Sequence, residues 1–200
     1  MTEALPGVWF CALCGEVVFS AGPPTRCPAC GAWPALLEEP RAEPRVLARD
    51  REWSDEVVAG GLRAIQQEID TAELYSRVAA TAAHPLLRNA FRSLQRIEGR
   101  HATLLASVFT VRRAAPTLRP DLSALTDAQR LDLVKAREDD TIDLYASQLP
   151  LVEGSELATV YRALMQVEED HNALIARLRG ELSAVSRQPS ARESLAAADS

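Results

Sequence analysis

Four stretches of this chain carry apolar residues at intervals of three and four, the period of a helix buried along one face. The first, with Val58, Leu62, Ile65, Ile69 and Ala72, predicts a helix that starts near Trp53 and ends near His84-Pro85. Ser54, followed by Asp55 and Glu56, supplies a cap and the negative charge that a helix start favours. The second, over about 86–111, runs through Leu87, Ala90, Phe91, Leu94, Leu105 and Val108. Pro116 and Pro120 forbid its continuation, and residues 112–125 are too long for the usual link between antiparallel neighbours, so they predict a crossover. Thr126-Asp127 caps a third helix to about Leu149, with Leu131, Val134, Ile142 and Tyr145 on its face, and Pro150–Gly154 predicts a turn. The fourth, from Ser155 to Ser186, carries Leu157, Tyr161, Leu164, Ile175 and Leu178. Four such helices with one long crossover predict a mainly α protein built as a four-helix bundle.

Charge interrupts each stripe. Glu68 borders the first, Glu98 and His101 lie within the second, Glu138 within the third, and Glu168 and His171 within the fourth. The pattern Glu68, Glu98-x-x-His101 recurs seventy residues later, without a gap, as Glu138, Glu168-x-x-His171. Around the lone glutamates, Glu-Ile-Asp-Thr-Ala-Glu-Leu-Tyr75 aligns with Glu-Asp-Asp-Thr-Ile-Asp-Leu-Tyr145, which indicates an internal duplication. Counting from each turn at about 1.5 Å per residue puts the four glutamates at similar heights. Glu and His three apart also share a helix face.

A lone helical Glu is a solvated surface charge in roughly nine cases of ten. Here, however, the chain has only three histidines, and two of them have Glu three positions earlier. Four unpaired carboxylates in a core would cost several kcal/mol each. Two divalent cations balance four Glu and two neutral His, and mixed carboxylate and imidazole donors suit iron or manganese. The expected arrangement has Glu98 and Glu168 bridging two metals, Glu68 and Glu138 terminal, and one of His101 and His171 on each metal. Tyr75 and Tyr145 are placed to hydrogen-bond ligand carboxylates, or to pack as core residues. His84 reads as a turn residue, and Asp139, Asp140, Glu169 and Asp170 as solvated neighbours.

The formal charge of −6 excludes a general affinity for nucleic acid or anionic membranes and leaves small molecules or proteins as partners. No run approaches the roughly 18 apolar residues of a membrane span, and the start lacks a signal-peptide pattern. A cytoplasmic protein is expected.

Residues 1–37 are rich in Gly, Pro and Cys, and all four cysteines fall there as Cys11-x-x-Cys14 and Cys27-x-x-Cys30. This spacing predicts strands and turns around one tetrathiolate metal, with two disulfides a minor alternative. Gly15 and Gly31 permit the turns that aim backbone N–H groups at the sulfurs. Taken alone the motif favours structural zinc, but beside a two-metal carboxylate site an iron centre becomes the expectation. Residues 38–52, with Pro40 and Pro44, predict a linker long enough for this module to reach a neighbouring subunit. The bundle spans 53–186, and 187–200 predict a disordered tail.

With these residues assembled, the chain resembles the rubrerythrin family over about residues 8–185. The resemblance lies in Trp9-Phe-Cys-Ala-Leu-Cys-Gly15 and Cys27-Pro-Ala-Cys-Gly31, joined to the six bundle ligands. It implies a rubredoxin-like four-cysteine iron module on a ferritin-like di-iron bundle. It also implies a non-haem peroxidase that reduces hydrogen peroxide to water with electrons relayed by the thiolate-bound iron. The family relationship further implies an external reductase or rubredoxin as donor, and a homodimer across whose interface the relay usually runs. Here the module is N-terminal rather than C-terminal, Thr141 stands where the family carries an additional Glu, and Glu16 stands where an aromatic residue is common. The six-ligand set thereby also resembles bacterioferritin. Two other readings follow: a ferroxidase or iron-binding protein with a structural zinc ribbon, which would react with O2, and a di-iron oxygenase.

Overall fold

A computed structural model describes residues 7–39, 47–48 and 51–185. Most of the predicted linker and the predicted tail at 187–200 lie outside the described residues. The module opens with β1 (Gly7–Cys11) and β2 (Val17–Ser20), paired antiparallel so that Val8 faces Phe19 and Phe10 faces Val17. A two-residue strand, β3 (Leu37–Glu38), pairs with the other edge of β1, giving the sheet order β2-β1-β3.

The bundle consists of α1 (Asp55–Thr81), α2 (Pro85–Val108), α3 (Asp127–Val152) and α4 (Glu156–Val185). Its starts are local chemistry. The Ser54 hydroxyl accepts from the Val57 N–H at 3.4 Å, His84 Nδ1 accepts from Leu86 at 3.2 Å, and Thr126 forms a capping box with Gln129. His84 is thus a cap as well as a turn residue. α3 runs on through Pro150, contrary to the predicted turn there. In the last helical turn the missing N–H removes a single bond, and Gly154, at φ +76°, makes the reversal instead. Leu62, predicted on the buried face of α1, is 46% exposed, because that face is formed by Val57, Gly61, Ala64, Ile65, Glu68 and Ile69.

The crossover between α2 and α3 is tied to α1 by Asp70. Its carboxylate accepts from the Thr117 N–H at 2.6 Å, the Thr117 hydroxyl at 2.7 Å and the Leu118 N–H at 3.1 Å. Burial alone would raise the Asp70 carboxyl, but these bonds and one from Gln66 outweigh it and hold it below its ordinary value. Arg130 closes the other end by donating to the Leu122 carbonyl at 2.9 Å.

Two apolar clusters fill the interior. One contains Ile65, Ile69, Ala102, Leu105, Tyr145, Tyr161 and Leu164 and extends into the module through Cys11, Leu13, Cys30 and Leu37. The other contains Leu74, Tyr75, Leu87, Phe91, Leu131, Val134, Ile175 and Leu178. On each helix the charged core positions fall close to where one cluster gives way to the other.

The module seats on its own bundle. The Leu47 N–H donates to the Ala12 carbonyl at 3.0 Å, and the Ala48 N–H donates to Glu156 Oε2 at 3.1 Å, stitching module to α4. Arg26 pairs with Asp170 at 2.5 Å, and Arg100 pairs with Glu16. Asp170, expected to be a solvated neighbour, keeps 41% of its side chain exposed while pairing with Arg26 across this seam.

Close approach of α1 to its surroundings requires glycine. A Cβ on Gly61 would lie 2.2 Å from Phe109 Cε2. Gly61→Ala should therefore destabilise the protein by about 1–3 kcal/mol despite the better helix propensity of Ala, measured as a lower urea midpoint at unchanged slope.

Candidate metal centres

All six predicted bundle residues meet in one layer. Glu68 on α1, Glu98 and His101 on α2, Glu138 on α3 and Glu168 on α4 are 0% exposed, and His171 on α4 is 4% exposed. They form two overlapping groups, Glu68–Glu98–His101–Glu168 and Glu98–Glu138–Glu168–His171, each with donor atoms within 4.8 Å of one another. Glu98 and Glu168 belong to both. Around His101 Nδ1 lie Glu168 Oε1 at 3.1 Å, Glu98 Oε2 at 3.3 Å and Glu68 Oε2 at 3.5 Å. Around His171 Nδ1 lie Glu98 Oε1 at 2.9 Å, Glu168 Oε2 at 2.9 Å and Glu138 Oε1 at 3.7 Å. Each shared carboxylate thus turns one oxygen to each side, while Glu68 and Glu138 serve one side each. The two imidazoles face each other at 6.3 Å between centroids and 18° between planes.

The fit to metal is tested by the donors left over. Glu68 Oε2, both oxygens of Glu98, Glu138 and Glu168, and Nδ1 of each histidine are buried without a hydrogen-bond partner. Among the described residues no Arg or Lys forms an ion pair with these carboxylates, and Arg137 acts on Glu68 only through the field of its charge. Nine converging orphan donors of oxygen and nitrogen type suit two hard or borderline cations.

Without metal the cluster balances its charge with protons. Burial alone would lower both histidines, but the flanking carboxylates outweigh it and raise His101 and His171 well above the ordinary imidazole value. Burial, reinforced by Glu168, raises Glu68 strongly and pushes Glu138 up to about 8. Glu98 and Glu168 resist burial because the histidines hold them down, below the ordinary carboxylate value. These directions favour imidazolium ions beside Glu98 and Glu168 and protons on Glu68 and Glu138.

The four sulfurs also converge. Cys11 and Cys30 Sγ are 3.8 Å apart and Cys14 and Cys27 Sγ 3.7 Å, too far for disulfides and close to the edge, about 3.8 Å, of a tetrahedron with metal–sulfur bonds of about 2.3 Å. Gly15 and Gly31, at φ +79° and +77°, close the two knuckles with N–H bonds to the Cys11 and Cys27 carbonyls. Neighbouring sulfurs hold the Cys27 thiol down and push Cys30 up, so a cation is needed for all four to be thiolates together.

The two tyrosines part ways. The Tyr145 hydroxyl donates to Glu68 Oε1, across from α3 to α1. Tyr75, expected to be its counterpart, has a buried hydroxyl with no partner and packs its ring on Phe91 at 5.1 Å. Three contacts were not legible beforehand. Tyr161 packs on Tyr145 at 5.3 Å, Gln67 donates to Thr141 at 3.1 Å, and His101 Nε2 lies 2.9 Å from the Cys30 carbonyl oxygen. Only the first had a sequence signal, the place of Tyr161 on the α4 stripe.

Two solved structures share the bundle. One is a ferritin-like, diiron-carboxylate protein from Bacillus anthracis str. Ames, with TM-score 0.56, 22% identity, and coverage of 63% of this chain and 99% of that one. The other is a dodecameric thioferritin, the bacterioferritin-related protein from Bacteroides fragilis, with TM-score 0.56, 15% identity, and coverage of 66% and 88%. At these identities the likeness establishes the fold, which is ferritin-like. No protein-family model and no curated protein matches the chain. No helix among the described residues is long and apolar enough to cross a membrane.

Metal binding should displace the protons on His101, His171, Glu68 and Glu138, releasing on the order of four per pair of divalent ions at pH 7. Affinity should therefore rise with pH and lose part of its slope above about 8, where Glu138 is already ionised. Calorimetry in buffers of different ionisation enthalpy measures this release, and metal uptake without it would contradict the charge assignment.

Proposed function

We propose that this protein is a rubrerythrin-like, non-haem di-iron oxidoreductase that reduces hydrogen peroxide to water, with electrons relayed by an iron ion in the four-cysteine site. The observation that carries this reading is the buried bond from His101 to the Cys30 carbonyl, which joins the two candidate centres within one chain. In this reading Cys11, Cys14, Cys27 and Cys30 hold one iron. Glu68, Glu98, His101 and Glu168 would hold a second, and Glu98, Glu138, Glu168 and His171 would hold a third. When bound, the iron pair supplies two electrons and Lewis acidity. With that supply, one hydrogen peroxide, two electrons and two protons would give two waters.

The chain's own part is to bind, orient and seal. The Tyr145 hydroxyl keeps a proton directed at Glu68 and restrains that carboxylate. His101 donates from Nε2 to Cys30, which leaves the Nδ1 lone pair facing the carboxylates. The apolar clusters close both ends of the layer to water. Electrons that reach the thiolates from an external reductase or rubredoxin have a path through Cys30 and one hydrogen bond to His101, which needs no second subunit. Four unlinked thiols fit a reducing compartment such as the cytoplasm.

A ferroxidase or iron-binding role with structural zinc in the cysteines is the second reading. It is favoured by Thr141, which is buried, bonded to Gln67 and adds no seventh carboxylate, and by the kinship of fold with a bacterioferritin-related protein.

Stopped-flow absorption of the anaerobically iron-loaded, reduced protein separates the two. Mixing with peroxide should oxidise the bundle site first and the thiolate-bound iron second. A silent cysteine site with faster oxidation by O2 would favour the ferroxidase. Glu98→Ala and Glu168→Ala should each abolish the bundle's iron pair yet leave metal on the thiolates, read as iron content and thiolate absorption, and an intact pair would refute the ligand assignment. Cys27→Ser, saturated with iron and reduced, should complete one peroxide turnover and then stall for want of electrons. Sustained turnover would contradict the relay.

A further inference from the structure

Duplication equips both sides of the bundle site with the same donor types, yet the module touches them differently. His101 Nε2 is engaged by the Cys30 carbonyl in a fully buried bond. His171, its duplicate, shows no such bond to Nε2 and is the one member of the six with any exposure, at 4%. It lines a largely apolar pocket of about 300 Å³ with Cys27, Gly31, Leu94, Ile97 and Leu174. One side is therefore clamped by the module and the other opens beside it.

The clamp has little slack. Cys30 and Gly31 sit in the second knuckle, where the Gly31 N–H is bonded to the Cys27 carbonyl at 2.9 Å. Gly31 presses on α4 so closely that a Cβ there would lie 2.9 Å from Val167 Cγ1. A cation that gathers the four thiolates orders this knuckle and with it the Cys30 carbonyl. An acceptor on the far nitrogen of a ligating histidine fixes its tautomer and orientation and raises its basicity, and losing such a partner typically weakens metal binding about 10- to 100-fold.

We propose that filling the four-cysteine site tightens metal binding at the His101 side of the bundle site and leaves the His171 side unchanged, with the Cys30 backbone carbonyl as the positioning group. This rests on reading the bundle cluster as a two-metal site. The duplicated halves then hold one tightly bound, module-dependent ion and one exchangeable ion. Linkage is reciprocal, so an ion on the His101 side tightens the cysteine site by the same factor.

The test uses the full chain, reduced and anaerobic, with and without one equivalent of Zn²⁺, which prefers the thiolates. It is then titrated with Mn²⁺, which prefers oxygen and nitrogen donors, and followed by electron paramagnetic resonance and calorimetry. With zinc present, one of two Mn²⁺ ions should bind about tenfold tighter or more, and the other should keep its affinity. Cys27→Ser, which breaks the cysteine site but keeps the Cys30 carbonyl, should bind Mn²⁺ as the zinc-free protein does even when zinc is added, at unchanged helical circular dichroism. If that variant misfolds, the comparison of the natural protein with and without zinc decides alone. Two Mn²⁺ affinities indifferent to zinc, or both shifted equally, would overturn the one-sided coupling while leaving the metal-centre reading intact. A bundle that takes up no Mn²⁺ under either condition would overturn that reading and the coupling with it.

Discussion

Four carboxylates in one buried layer are the constraint around which this molecule is built, since each would cost several kcal/mol unless its charge were balanced in place. The balance is geometric. Glu98 and Glu168 divide their oxygens between His101 and His171, so every carboxylate has an imidazole beside it, and the same geometry leaves nine donor atoms converging and unsatisfied. Protons on the imidazoles and on the outer carboxylates offset the buried charge, and two divalent cations would offset all four carboxylates.

The rest of the bundle holds that layer in register. Apolar clusters on both sides exclude water and set the height of each helix. Gly60 and Gly61 let α1 approach Gln148 and Phe109, and Asp70 pins the crossover so that α3 begins at the height that brings Glu138 level with Glu68. Tyr145 belongs to this scaffold as much as to the site, bonded to Glu68 while its ring packs on Tyr161.

Against this symmetric layer sits an asymmetric module. The outer nitrogen of His101 finds its acceptor in the knuckle of the other candidate site. The four-cysteine unit is therefore a wall of the candidate bundle site as well as a candidate site of its own. Its seat is made by Gly31 against Val167, by the pairs Arg26–Asp170 and Arg100–Glu16, and by the Ala48 bond to Glu156. Its N-terminal place in the chain does not keep it from the bundle's carboxylate layer.

Much of this was legible along the chain, because periodicity and spacing are local quantities. Helix starts at Ser54 and Thr126, the duplicated Glu and Glu-x-x-His, and the paired Cys-x-x-Cys each state their geometry within a few turns of backbone, and the structure brings both sets of residues together. Spacing could not say that Leu62 faces out, that Tyr145 reaches Glu68 while Tyr75 finds no partner, or that α3 tolerates Pro150, since each depends on what a neighbouring helix leaves open. The contact of Cys30 with His101 joins positions 71 residues apart through a backbone carbonyl, a group every residue possesses. The chemistry of the two sites was thus determined by residue type and interval. Their contact was decided only by packing, because a carbonyl becomes specific through where the fold puts it.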